Sequence, residues 1–175
     1  MGTALITGAA AGPLVFVAND GTNSIVRFDY ETGEYLGMIG NGFFTGNVVN
    51  GVAVGPDGYL HTVVAGTGAR IMRFQPYTGE FAGSYATSGF LSSPDGIAFG
   101  PDGLAYVGDA GTGSIKRFDP ATGEFRGSFA SGFLSGGSVV MAFSTDGKLH
   151  VTNGSSLMRF EPVSGEYLGT YANGF

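Results

Sequence analysis

The sequence predicts an all-β fold made of four similar units, each of four antiparallel strands. Three observations carry that expectation. An Arg-Phe pair recurs at 27/28, 73/74, 117/118 and 159/160, at intervals of 46, 44 and 42 residues. It sits each time inside the same phrase: SIVRFDYETGEY, ARIMRFQPYTGEF, SIKRFDPATGEF and SLMRFEPVSGEY. Self-similarity at that period marks a repeat architecture. Around each pair the residues alternate as in a strand, with Ile25, Arg27 and Asp29 on one face and Val26 and Phe28 on the other. The 33 glycines follow no Gly-X-Y period, which suits many short strands joined by tight turns.

The third unit displays every element. Residues 96–100 (GIAFG) form a first strand, Pro101-Asp102-Gly103 a turn, 104–108 (LAYVG) a second strand and 109–113 a loop. The third strand, 114–118, runs into the turn Asp119-Pro120-Ala121-Thr122-Gly123. There proline presets φ and glycine accepts positive φ. A fourth strand starts at Glu124 and is closed by Ser131-Gly132-Phe133. Pro56-Asp57-Gly58 and Thr145-Asp146-Gly147 repeat the first turn; Gly42-Phe43, Gly89-Phe90 and Gly174-Phe175 repeat the closing dipeptide. The units therefore run 1–44, 45–90, 91–133 and 134–175 within a single domain. In each terminal hairpin, pairing of Asp29 with Glu34 puts Phe28 opposite Tyr35 and Arg27 diagonal to Glu34. The diagonal recurs as Arg73/Glu80, Arg117/Glu124 and Arg159/Glu166. Residues 4–13 of the first unit are apolar but lack the GIAFGPDG pattern. Four antiparallel strands per unit of about 40–45 residues is the plan of a propeller blade.

The run GIAFGPDGLAYVGD at 96–109, followed by IKRFD at 115–119, resembles an NHL-type β-propeller repeat, above all the bacterial secreted kind with its GPDG and RFDP-TGEF phrases. The likeness covers nearly the whole chain. It implies a four-bladed NHL-like β-propeller, where members of the family more usually have about six to eight blades. It also implies an extracellular setting, with other extracellular proteins or glycans as partners. Related six-bladed lactonases hold a metal in the central channel with Glu, Asn and Asp. No such set can be placed here, because the inner strands 51–55, 96–100 and 139–143 are almost wholly apolar. A small ring lined with Val, Ile, Ala, Phe and Met is expected to pack its centre.

The period continues across the ends of the chain. From Phe90 to Leu104 is 14 positions, and so is the path from Phe175 over the end to Met1 and on to Leu14. The Arg-Phe interval across that junction is 43. Either one chain closes as a four-bladed ring, or one chain's end meets the next chain's beginning. The second is the leading expectation: a non-enzymatic structural subunit that self-assembles head to tail, filament-like, by edge complementarity. Residues 1–11 would be the joining arm, with Ala4, Leu5, Ile6 and Thr7 against Gly174 and Phe175. A monomeric scaffold presenting Tyr30 and Tyr77 to a protein or carbohydrate is the first alternative, and a metal-dependent hydrolase of the lactonase type the second.

Composition narrows the partners. Eight basic against 14 acidic residues give a net charge of −6, which argues against nucleic acid and anionic lipid. No apolar run approaches the ~20 residues of a membrane span. Residues 1–11 lack a basic leader segment and are not read as a signal peptide. Cysteine is absent, and no GxSxG, HExxH, P-loop or CxxC occurs, so no catalytic residue is nominated. Most acids fall on the rim of the PDG and DPxTG turns, where turn chemistry accounts for them. The opposite rim carries Asp20, Asp95 and Asp109, candidate oxygen ligands for calcium without a dedicated spacing motif. His61 and His150 match in place on second strands, with Val15 and Ala105 as their counterparts, and are read as ordinary strand positions.

Overall fold

The structure is a computed structural model, described here for residues 12–19, 21–87, 89–134 and 139–174. It is all-β, with four sheets whose strands follow one another in chain order. Blade 1 holds β1 (Leu14–Asn19), β2 (Ser24–Asp29) and β3 (Tyr35–Ile39). Blade 2 holds β4 (Asn47–Val54), β5 (Leu60–Gly66), β6 (Arg70–Phe74) and β7 (Phe81–Tyr85). Blade 3 holds β8 (Pro94–Phe99), β9 (Ala105–Asp109), β10 (Ser114–Phe118) and β11 (Phe125–Ser131). Blade 4 holds β12 (Met141–Phe143), β13 (Leu149–Asn153), β14 (Ser156–Phe160) and β15 (Tyr167–Asn173). Among the described residues no helix is long and apolar enough to cross a membrane.

The registers follow from turn chemistry. Asp29 accepts hydrogen bonds from the backbone N–H groups of Glu31 and Thr32, and its own N–H bonds the carbonyl of Glu34 at 2.9 Å. That closes the hairpin with Phe28 opposite Tyr35, as the sequence predicts, through a bulge between Arg27 and Phe28. The two rings meet edge-on at 5.8 Å. The Arg–Glu diagonals do not form: among the described residues no ion pair joins Arg27, Arg73, Arg117 or Arg159 to its diagonal glutamate. Arg27 and Arg73 reach carbonyls of the next blade instead, and Arg117 and Arg159 lie over rings of their own blade's fourth strand.

A second correction concerns the second strands. Arg27, Arg73, Arg117 and Arg159 pair with Phe16, His61, Tyr106 and His150. The counterparts of the histidines are thus Phe16 and Tyr106, not Val15 and Ala105. A one-residue slip moves a side chain to the other face of a strand, so every blade carries a ring at this place.

Blades stack face to face, and each joint is a separate apolar core. Ile25, Ile39 and Phe44 pack with Leu60, Met72 and Phe74 between blades 1 and 2. Ile71 and Tyr85 pack with Ile97, Val107 and Phe118 between blades 2 and 3. Tyr106, Ile115 and Phe129 pack with Leu149, Val151 and Phe160 between blades 3 and 4. Full burial of each such side chain stabilises by about 1.5–3 kcal/mol. The four sheets are arranged as a four-bladed β-propeller, and among the described residues no core joins blade 4 back to blade 1.

Among the described residues the centre is not packed, contrary to expectation. A cavity of about 670 Å³ runs along β1, β4, β8 and β12, lined by residues such as Val49, Gly51, Gly96, Ile97 and Val140. Glycine is the reason. A Cβ on Gly51 would fall 2.8 Å from the carbonyl oxygen of Asp95, and one on Gly96 would collide with that of Val139. Neighbouring inner strands therefore approach backbone to backbone and form a thin wall, leaving little side-chain volume to fill the middle.

Candidate functional site

Each joint is built from one repeated stack. The second strand supplies a ring, the third strand an arginine opposite it, and the fourth strand Ile39, Tyr85, Phe129 or Tyr171. Arg73, Arg117 and Arg159 lie over Tyr85, Phe129 and Tyr171 at 5.7–5.8 Å, a cation–π arrangement. The stack then reaches into the next blade. Arg27 donates to the carbonyls of Pro76 and Tyr77, and Arg73 to that of Pro120 at 3.0 Å. At the third joint Tyr106 Oη takes this role on Pro162, at 3.1 Å. The turn it grips closes with a glycine that rests on the preceding blade's fourth strand. A Cβ on Gly79 would meet Ile39 at 3.3 Å, one on Gly123 would meet Tyr85 at 2.7 Å, and one on Gly165 would strike the Phe129 carbonyl.

The second joint also holds a buried polar relay. His61 Nε2 lies 2.9 Å from Asp57 Oδ1, and Nδ1 lies 2.9 Å from Tyr85 Oη. A carboxylate only accepts, so Nε2 carries the proton and Nδ1 accepts from the tyrosine. Burial pulls the imidazole pKa down, outweighing the upward pull of Asp57. Burial likewise pushes Tyr85 up, and with the Asp102 hydrogen bond holds Tyr106 at about 12. These groups are sealed and mutually satisfied, which suits a specifying core and not a reaction centre.

Two of the three sequence-nominated acids, Asp109 and Asp95, lie among the described residues, and each engages donors of its own. Asp109 is fully buried and accepts from Ser92 N, Ser93 N, Thr112 Oγ1 and, at 2.7 Å, Lys116 Nζ. Burial alone would raise its pKa, but Lys116 and the other donors hold it below the usual carboxylate range. Asp95 starts from the same end of blade 3, yet its carboxylate accepts from the Val139 N–H of blade 4. Asp20 lies outside the described residues, and among those described no three His, Asp, Glu or Cys side chains gather as a metal site. His150 packs its ring on Tyr171 at 5.4 Å, as His61 does on Tyr85 at 5.8 Å. Ala4, Leu5, Ile6, Thr7 and Phe175 also lie outside the described residues. Gly174 is exposed, and its N–H bonds the Ser155 carbonyl.

What the sequence reading missed is the pair of end faces. Tyr171 is 65% exposed, whereas Ile39, Tyr85 and Phe129 are 1%, 7% and 8% exposed. At the other end Val15 and Val17 are 39% and 44% exposed, whereas their counterparts Leu60, Thr62, Ala105, Val107, Leu149 and Val151 are at most 1%. Around Gly33, the counterpart of Gly79, Gly123 and Gly165, no atom stands within 4 Å of a would-be Cβ. Beside Tyr171 an apolar recess of about 330 Å³ opens between Met141, Ala142, His150 and Leu157. The repeat was the signal that could have found these residues, since each occupies a position covered in the other blades.

No family model matches the chain, and no curated protein matches it. Solved propellers do. The chain overlays a streptogramin B lyase with a TM-score of 0.70 at 18% identity, covering 95% of this chain and 53% of that one. It overlays virginiamycin B lyase from Staphylococcus aureus with a TM-score of 0.67 at 20% identity, covering 90% and 51%. It overlays a chain of a nidogen/laminin complex with a TM-score of 0.69 at 18% identity, covering 90% and 61%. Identities of this size show the fold alone. The chain spans about half the length of these propellers.

Proposed function

We propose that this chain is a non-enzymatic, NHL-like propeller scaffold that works in an extracellular setting by surface recognition and assembles head to tail with copies of itself. One observation carries the reading. Four blades make three joints, and the two faces left over bear the same side chains that the joints cover elsewhere. Contiguous exposed apolar surface of this kind marks an interaction site. The nidogen/laminin complex supports recognition of a protein partner by such a fold. Tyr30 and Tyr77, both exposed on the turn rim, offer a contact surface for such a partner or a glycan.

The second reading, an enzyme, draws on the central cavity and on the two lyases among the similar structures. The state of the polar groups favours the first: Asp109 and His61 are buried and fully engaged, and Asp95 is bound to the neighbouring strand.

Light scattering with negative-stain imaging tests the proposal. The purified chain is expected at a multiple of 17.9 kDa, unchanged by a calcium chelator. Deleting residues 1–11 separates an arm-borne contact, which the deletion would abolish, from a face-borne one, which it would spare. A monodisperse particle of single-chain mass with turnover of a lactone or of a streptogramin B would replace this reading with the enzymatic one.

A further inference from the structure

We propose that the joint between blades 2 and 3 is an acid-operated latch: uptake of a second proton by His61 frees the turn side of blade 3 from blade 2, while the joints on either side stay shut.

The three joints share one plan and differ in the ring at a single place. The ring is Phe16 in blade 1, His61 in blade 2 and Tyr106 in blade 3, each opposite the arginine of its third strand. Phe16 has no proton to exchange. Tyr106 donates to Asp102 and to the Pro162 carbonyl, and its hydroxyl titrates only at about 12. Of these three rings, only an imidazole changes charge between about pH 5 and 8.

The neutral ring of His61 is fully engaged. Nε2 donates to Asp57, and Nδ1 accepts from Tyr85 Oη at 2.9 Å. A proton added at Nδ1 turns that acceptor into a donor, so the Tyr85 hydroxyl must rotate away from its bond. Asp57, on the turn before β5, already serves Nε2 through both oxygens, at 2.9 and 3.2 Å, with Arg73 Nη1 3.9 Å away. Arg73, on β6, brings a positive charge over the rings of Tyr85 and Tyr59 at 5.8 and 5.7 Å. Blade 3 sets the Phe99 ring 4.9 Å from His61 and the Phe118 ring 6.3 Å from Tyr85. Asp119, in the blade 3 turn, is taken up by the N–H groups of Ala121 and Thr122 and by Arg126. The imidazole is 0% exposed, so charging it carries the desolvation cost of an ion.

The rest of the joint sets the direction of opening. On the turn side blade 3 is held through this cluster: Tyr85 rests on Gly123, and Arg73 donates to the Pro120 carbonyl at 3.0 Å. On the inner and connector side other bonds hold. Asn50 Nδ2 donates to the Pro94 carbonyl at 2.8 Å, Lys116 to that of Phe90, and Asp109 accepts from Ser92 and Ser93. Asp109 stays charged through this range, since its donors hold it below the usual carboxylate range. Acid therefore loosens one side of the joint and leaves the other as a hinge.

The chain lacks cysteine, so a single thiol reports on one joint. Val107→Cys reads the joint between blades 2 and 3, and Val151→Cys the next; both valines are 0% exposed. Each thiol's rate with a pyridyl disulfide is divided by that of the urea-unfolded chain at the same pH. Between about pH 7.5 and pH 5.5, protection of the Val107→Cys thiol is expected to fall about tenfold, and that of the Val151→Cys thiol less than about twofold. Adding His61→Phe is expected to abolish the fall, and adding His150→Gln to leave it in place. Where circular dichroism shows that His61→Phe has not folded, proton NMR of the two imidazoles decides, since the fall must follow the titration of His61. No fall, an equal fall at both thiols, a fall that persists in folded His61→Phe, or one that follows His150 would overturn the latch.

Discussion

At the residue scale, two buried polar sites show how a glycine-rich, largely apolar repeat is given specificity. Asp109 with Lys116 is a buried ion pair whose carboxylate is fully engaged, and removing one member of such a pair costs about 3–5 kcal/mol by stranding the other. His61 is the titrating site. Its imidazole pKa is lowered in the fold, so the unfolded chain binds the proton first as pH falls. Its contribution is therefore complete above the unfolded value of about 6.5 and is lost as pH drops below it. Urea unfolding of the parent is expected to show a falling midpoint between about pH 7 and pH 5. His61→Phe, which places the residue of blade 1 at this position, is expected to lower the midpoint throughout and flatten that slope. An unchanged slope in the variant would assign the acid sensitivity to another group.

At the scale of the element, the DPxTG turn does two jobs. It closes its own hairpin, and it is the part that the preceding blade grips. Gly123 has φ +77° and would place a Cβ 2.7 Å from that of Tyr85. Gly33 has φ +71° with open space around it. Alanine at either position bears the backbone strain, which destabilises by more than about 1 kcal/mol; only Gly123→Ala adds a steric clash at a joint. Denaturant titration is expected to find Gly123→Ala the more destabilising, by roughly 1–3 kcal/mol of overpacking. Equal losses would mean that the turn acts only within its own hairpin.

For the whole molecule, the exposed side chains of blades 1 and 4 leave stability tied to whatever covers them. If copies cover each other, folding and association are linked. A tenfold rise in protein concentration then stabilises each joint between copies by about 1.4 kcal/mol. Calorimetry across such a series is expected to show Tm rising with concentration, and no shift on adding EDTA. A Tm independent of concentration would mean that the single chain stands alone as a folding unit.

The repeat phrase, read as sequence, determined the strand count per blade, the turn positions and the Phe28–Tyr35 register, because alternation and turn chemistry are local. It placed the histidine counterparts one residue away from their true place, although counting four residues on from Asp57, Asp102 and Asp146 reaches His61, Tyr106 and His150 directly. It nominated Asp20, Asp95 and Asp109 by residue type, but whether a carboxylate is free depends on neighbours such as Lys116 and Val139 that only folding brings up. It found continuity across the chain ends by counting. The tertiary structure alone decided that the faces there are bare, because exposure depends on the angle between blades. Which side chains are covered depends on packing between blades, as for Phe44, Tyr85 and Phe129 at the three joints, and is written in no single phrase.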